Sequence, residues 1–350
     1  MRQARIIIVA LLLTLILIVT ACSTEQESQV ISEPVKNPTS ERVPQMPLDR
    51  NSMAYKDRMA KVKANEAGQI MILMYHVIGA EKEGDWSQTA DNFRRDLQTL
   101  FDQGYSLLSL RNLVSNNIDT PEGRTPVVLT FDDGTVGHFR YLEEDGKKII
   151  DPDCAVGILL DFAEKNPLFG HTATFFVNDR PFGQGAYWQE KLQHLVDLGF
   201  DIGNHTLTHP KLNQLSDQEV QEEIAGLAQL VHEVVPHYHV TTLALPYGIS
   251  PKNASLAGTG SAGDFSYRNV AVLRVGANPT VAPNVHGFSP LALPRVQAST
   301  KELTKWLDHF QKNPEERYIS DGNPATIVVP ADKEELIDKS TLDQKKLITW

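Results

Sequence analysis

The stretch "VVLTFDDG", residues 127–134, is an apolar run of strand length that ends in two adjacent aspartates and a glycine. Branched and aromatic residues suit a pleated strand, and an Asp-Gly pair suits the turn after it. Two like charges at the end of a buried strand repel each other, and each is costly without a partner. A plain surface turn would account for the tripeptide alone. The rest of the chain decides whether something more is assembled there.

Working outward, runs with the same look recur at regular intervals. "QIMILMY" (69–75), "TATFFVN" (172–178), "FDIGN" (200–204), "VTTLALP" (240–246), "NVAVLRVGA" (269–277), "LALPRVQA" (291–298) and "ATIVVPA" (325–331) all read as strands. Helical patterns lie between them. Phe93, Leu97, Leu100 and Phe101 fall on one face of a helix over 89–104, and further helices are predicted near 154–165, 188–199, 216–235 and 300–313. Ser216 and Glu219 form a capping-box pattern at the start of the fourth. "HFRYLEEDGKKIID" (138–151) reads as a β-hairpin turning at Asp145-Gly146. Strand–helix alternation on this scale implies parallel strands covered by helices. The fold class predicted is α/β: a (β/α) barrel, complete or slightly open, of seven to eight strands, with a β-hairpin insertion.

The ends of the chain read differently. "MRQARIIIVALLLTLILIVTAC" (1–22) has a positive start and an apolar core too short for a secure membrane span, the pattern of an export signal. Its close, Val19-Thr20-Ala21-Cys22, looks like a bacterial lipobox in which Cys22 carries a lipid. The protein is therefore expected outside the cytoplasm, anchored by lipid to the cell membrane. Residues 23–66 are expected to form a flexible tether, rich in Ser, Thr, Pro, Glu and Gln up to residue 50, with a helix possible from 51 leading into the folded part at 67–350. Of the two cysteines, only Cys154 is left for the folded part, so no disulfide supports it. The net charge of −11 and the absence of basic clusters argue against a nucleic-acid partner. Nothing in the sequence specifies an oligomer.

Barrel chemistry sits on loops at the C-terminal ends of the strands. Tyr75-His76, Asp132-Asp133, His205 with His209, and Pro246-Tyr247-Gly248 each follow a predicted strand directly, so all four fall on one rim. One carboxylate and two histidines make a three-ligand metal site with positions left for water and substrate. That set suits Zn2+, and also Co2+, Ni2+ or Fe2+. The second carboxylate is then free to take a proton.

The motifs "TFDDG", "ATFF", "DIGNHTLTH" and "PYG", in this order, resemble the NodB-homology polysaccharide deacetylases, which hydrolyse the N-acetyl groups of amino-sugar polymers. The resemblance spans roughly residues 70–335. It implies that Asp132 is the general base, that Asp133, His205 and His209 hold the metal, and that the backbone N–H of Tyr247 helps to stabilise an oxyanion. Two positions depart from the family. Ala244 stands where an arginine usually holds the base, and "TIVVPAD" offers Pro330 where a histidine usually serves as general acid. "ILMYH" (72–76) has the shape of that missing strand moved to the front, as in the permuted, poly-N-acetylglucosamine deacetylase-like members that open on a Tyr-His strand. On that likeness His76 is the acid, and Arg295 in "LPRVQ" replaces the arginine. The implied partner is an N-acetylated glycan of cell wall or secreted matrix. Two other readings of the same residues are a lipid-anchored glycan-binding protein without turnover, suggested by Ala244 and Pro330, and an amidohydrolase for a small acetamide.

Overall fold

The computed structural model describes residue 50 and residues 52–350; the signal segment, Cys22 and the first part of the tether lie outside the described residues. Besides the short strands Tyr105–Leu107 and Thr280–Val281 at its margins, the nine-stranded main sheet is a row of seven parallel strands: β1 (Gln69–Tyr75), β2 (Thr125–Phe131), β3 (Thr174–Val177), β4 (Asp201–Asn204), β5 (Thr242–Ala244), β6 (Ala271–Leu273) and β7 (Val296–Gln297). Their spatial order is β6-β5-β4-β3-β2-β1-β7. The two ends of this row meet. Leu273 of β6 bridges Leu293, three residues before β7, and the Leu293 N–H donates to the Val272 carbonyl at 2.9 Å. The sheet is thus curled into a deformed (β/α) barrel, the class predicted.

The helices that cover it are α1 (Met53–Val62), α2 (Ala90–Asp102), α3 (Ala155–Lys165), α4 (Trp188–Asp197), α5 (Asp217–Val234) and α6 (Thr300–Lys312). The strands alternate in what they face. Ile70, Ile72, Val128, Phe176, Ala244, Ala271 and Leu273 pack together inside the barrel. Met71, Leu73, Val127, Leu129, Phe175 and Val177 point outward, against Phe93 and Leu97 of α2, Ile158 and Leu159 of α3 and Leu192 of α4. Among the described residues no helix is long and apolar enough to cross a membrane.

Four details differ from or refine the sequence reading. Residues 52–66 are not tether. Ser52 caps α1 by accepting from the Tyr55 N–H, and Tyr55, Met59 and Ala64 are buried against Val328 and Ile348. The helix expected from 51 forms, and its one apolar face packs on the domain. The strand Thr326–Val329 exists but pairs with Lys346–Thr349 in a separate two-stranded sheet, because the ring is already complete without it. The strand expected over 291–298 keeps only Val296-Gln297, since Pro294 has no N–H to give a ladder. The hairpin forms as expected, Tyr141–Glu144 against Lys147–Ile150, with Asp145 and Gly146 both at positive φ, as a tight two-residue hairpin turn requires.

One buried pair makes stability depend on pH. The Tyr75 hydroxyl donates to Asp96 on α2 at 3.1 Å, and both are buried. Burial pushes the Asp96 carboxyl up to about 7, although the Tyr75 bond partly opposes the rise. A carboxyl raised on folding stabilises the protein while protonated, and that contribution is lost as pH climbs from about 4 through about 7. Asp96→Asn should therefore gain on wild type as pH rises, by up to about 4 kcal/mol between pH 4 and pH 8. Urea unfolding of both proteins across that window measures it, and parallel pH curves would refute it.

Candidate active site

Strands β1 and β2 end in register, Tyr75 opposite Phe131, so His76 and Asp132 leave the sheet side by side. The Asp132 N–H donates to the Tyr75 carbonyl at 2.9 Å and holds that exit together. Asp132 points inward and is 1% exposed. Facing it is Arg295, which precedes β7 and is fully buried. Its guanidinium meets the carboxylate with two parallel bonds, Nη1–Oδ1 at 2.7 Å and Nη2–Oδ2 at 2.6 Å. The guanidinium is itself held: Nε donates to the Arg274 carbonyl at 3.0 Å and Nη1 to Thr130 Oγ1 at 3.2 Å. Burial alone would raise the Asp132 carboxyl. Arg295 and then His205 outweigh it and hold the group ionised, well below the usual carboxylate range.

Asp133 diverges from its neighbour because its backbone is left-handed, at φ 75°, followed by Gly134 at 54°. Its Oδ1 lies 3.4 Å from His205 Nε2 and 3.5 Å from His209 Nε2. Burial opposes ionisation of Asp133, yet the His205 side chain keeps the carboxyl below its ordinary value. His205 Nδ1 sits 2.8 Å from the Ala244 carbonyl. That bond places the ring proton on Nδ1 and leaves the Nε2 lone pair facing Asp133. One oxygen and two imidazole nitrogens, all within 4.8 Å of one another, form a donor set that fits a divalent cation of the zinc type.

His76 is partly buried, its ring edge-on to Trp86 with centroids 4.7 Å apart. Burial lowers its pKa, against the pull of the two aspartates. Tyr247 lies in the turn after β5 at φ 57°, with its ring 4.6 Å from that of His209. The adjacent Gly248 must be glycine, since a Cβ there would stand 2.8 Å from the Val275 nitrogen and its φ is 70°. A cleft of about 370 Å3 brings together His76, both aspartates, both histidines and Tyr247, walled by Trp86 and Val275.

The structure thus gathers Asp132, Asp133, His205, His209, His76, Tyr247 and Arg295 around one cleft or directly beneath it; Cys22 lies outside the described residues. Sequence reasoning missed Trp86. It is a lone aromatic in the acidic loop "EKEGDWSQ" and 48% exposed, and that isolation was the available signal. His138, at the start of the hairpin stretch, is fully buried. Its ring packs between Phe131 and Phe175, and its Nε2–H donates to the His76 carbonyl, so it steadies the end of β1. Burial lowers His138 to about 4, which keeps it neutral.

Comparison with known proteins follows this geometry. Residues 119–262 match the family model described as polysaccharide deacetylase. That range contains Asp132, Asp133, His205, His209 and Tyr247, while His76 and Arg295 lie outside it. A chitooligosaccharide deacetylase of Bradyrhizobium (strain ANU 289) is 28% identical over 139 residues, covering 39% of this chain and 52% of that protein. YxkH of Bacillus subtilis (strain 168), provisionally named a polysaccharide deacetylase, is 25% identical over 195 residues, 55% of this chain and 61% of its own. The chain thus spans between half and two thirds of the length of these curated relatives. Among solved structures, the Streptococcus pyogenes deacetylase PplD in complex with acetate shares the fold, with a TM-score of 0.50 at 20% identity over 68% of this chain and 97% of that one.

Proposed function

We propose that the chain, whose residues 119–262 fall in the polysaccharide deacetylase family, hydrolyses N-acetyl groups of an amino-sugar polymer and releases acetate. The observation that carries this reading is the division between the two adjacent aspartates. One is locked to an arginine and stands 3.9 Å from His205; the other lies closer to both imidazoles, at 3.4 and 3.5 Å.

Asp133, His205 and His209 would hold a divalent cation, most simply Zn2+. Such an ion, when bound, supplies a Lewis acid that polarises the acetamide carbonyl and acidifies the attacking water. Asp132, ionised and aimed by Arg295, takes the proton of that water. The backbone N–H of Tyr247, in its left-handed turn, is directed to the charge that develops on the carbonyl oxygen. His76, on the rim of the same cleft, delivers a proton to the departing amine. Trp86 walls the cleft beside His76. Tyr75-His76 on the first strand supports the permuted, poly-N-acetylglucosamine deacetylase-like subtype. The lipobox at Cys22 supports a lipid-anchored position outside the cytoplasm, facing cell-wall or matrix glycan.

The test is acetate release by the zinc-loaded chain from acetylated glucosamine oligomers and from peptidoglycan, with and without chelator. Chelator-sensitive release is expected from a polymer. No release with zinc demonstrably bound would leave only a glycan-binding role, and release from monomers alone would indicate a small-acetamide hydrolase. His76→Ala should slow release by about a hundred- to ten-thousand-fold with zinc retained; full activity in that variant would remove the acid from the first strand.

A further inference from the structure

The loop His205–His209 carries both imidazoles of the cluster, and its backbone is held in a conformation it would not choose. Thr206 has φ 64° and His209 φ 59°, left-handed values for two residues that are not glycine. For the branched Thr206 such a value is a steric outlier that needs outside support. The support comes from three elements. At the end of β3, Asn178 Nδ2 donates to the carbonyls of His205 at 2.7 Å and Thr206 at 3.0 Å. At the end of β4, the buried Asn204 accepts from the Thr206 N–H at 2.7 Å while donating to the Ile224 carbonyl of α5 at 2.8 Å. From α5, Glu223 grips the loop at its middle. Its carboxylate accepts the Thr208 N–H at 2.8 Å and the Thr208 hydroxyl at 2.6 Å, and its carbonyl accepts the Leu207 N–H at 3.1 Å.

We propose that Glu223 and Asn178 are positioning residues that set the metal affinity of the cleft by holding this strained loop, so that the two histidines stay on one ligand position each side of Asp133. The inference rests on the metal reading above but is separable from it. Neither residue touches the donor atoms, and neither belongs to the buried core. Losing a grip lets the strained loop relax, which offsets the bonds lost in the metal-free protein while it spreads the imidazoles. Outer-shell partners of metal ligands are typically worth ten- to a hundredfold in affinity.

The measurement is the Zn2+ dissociation constant of the whole chain by competition with a chromophoric chelator, paired with the melting temperature of each protein in excess chelator. Glu223→Ala and Asn178→Ala should each weaken Zn2+ binding about ten- to a hundredfold, with the metal-free melting temperature unchanged. Glu223→Gln keeps one acceptor and should recover most of the loss. An affinity within twofold of wild type in both alanine variants overturns the proposal. So does a melting temperature in chelator that falls along with affinity, since that marks an ordinary structural contact. Failure of wild type itself to bind Zn2+ would instead refute the metal reading.

Discussion

Replacing Arg295 with methionine is expected to cost the domain about 3–5 kcal/mol, the usual penalty for leaving one partner of a buried ion pair alone. Both groups are essentially without solvent contact, and the carboxylate makes both of its closest bonds to this one guanidinium. With methionine at 295 the buried Asp132 must stay charged without a partner or take up a proton. The pH profile should change with it. A carboxyl depressed on folding contributes stability above its unfolded value near pH 4 and loses that contribution as pH falls. Wild type should therefore lose stability on acidification more steeply than Arg295→Met. The double replacement Arg295→Met/Asp132→Asn should recover part of the single-variant loss, because the stranded charge is gone. Urea midpoints of the four proteins close the cycle. A single-variant midpoint equal to wild type would show that the pair is not the buried interaction described.

The second large effect is catalytic. Asp132→Asn is close to isosteric and keeps one oxygen for Arg295, so the fold and the Asp133–His205–His209 cluster should persist. What it removes is the capacity to accept a proton, for which a fall in acetate release of about a hundred- to ten-thousand-fold is expected. Zn2+ affinity in Asp132→Asn should stay near that of wild type, whereas Asp133→Asn should lose binding. The contrast matters more than either number. Equal loss of zinc in both variants would mean that the two carboxylates share the ion, and the proposed division of labour would fall.

Much of this was legible from residue order alone. The strand ends at 75, 131, 204 and 244 were marked by apolar runs, and the chemistry-bearing residues follow each directly, so their common rim required only that the strands be parallel. The partnership of Arg295 with Asp132 was readable only as a candidate, because it joins strands 163 residues apart and depends on how the ring closes. Its interior position also clarifies Ala244. The methyl at 244 faces the barrel interior, which must also hold the buried guanidinium that enters from the other side of the ring. The burial of His138 has no periodic sign in the sequence, and its partner is a backbone carbonyl rather than a side chain. A helix was legible near α1, but Lys56, Arg58 and Lys61 gave no sign that its other face is buried. The grip of Glu223 on Thr208 was invisible for the same reason as any contact between helix and loop: both residues look like solvated surface.

Closure of the ring through Leu293 has a consequence for the order in which the site can come into being. Ribosomes deliver His76 early and Arg295 late. Asp132 emerges between them, before the arginine that pairs with it in the folded barrel. The segment at 293–297 is what closes the ring, since β7 pairs with β1 while Leu293 bridges Leu273 of β6. Base and acid therefore share a finished site only after most of the chain exists. A truncated chain ending before residue 293 would carry Asp133, His205 and His209 and still lack Arg295, the partner of Asp132, and the segment that closes the ring.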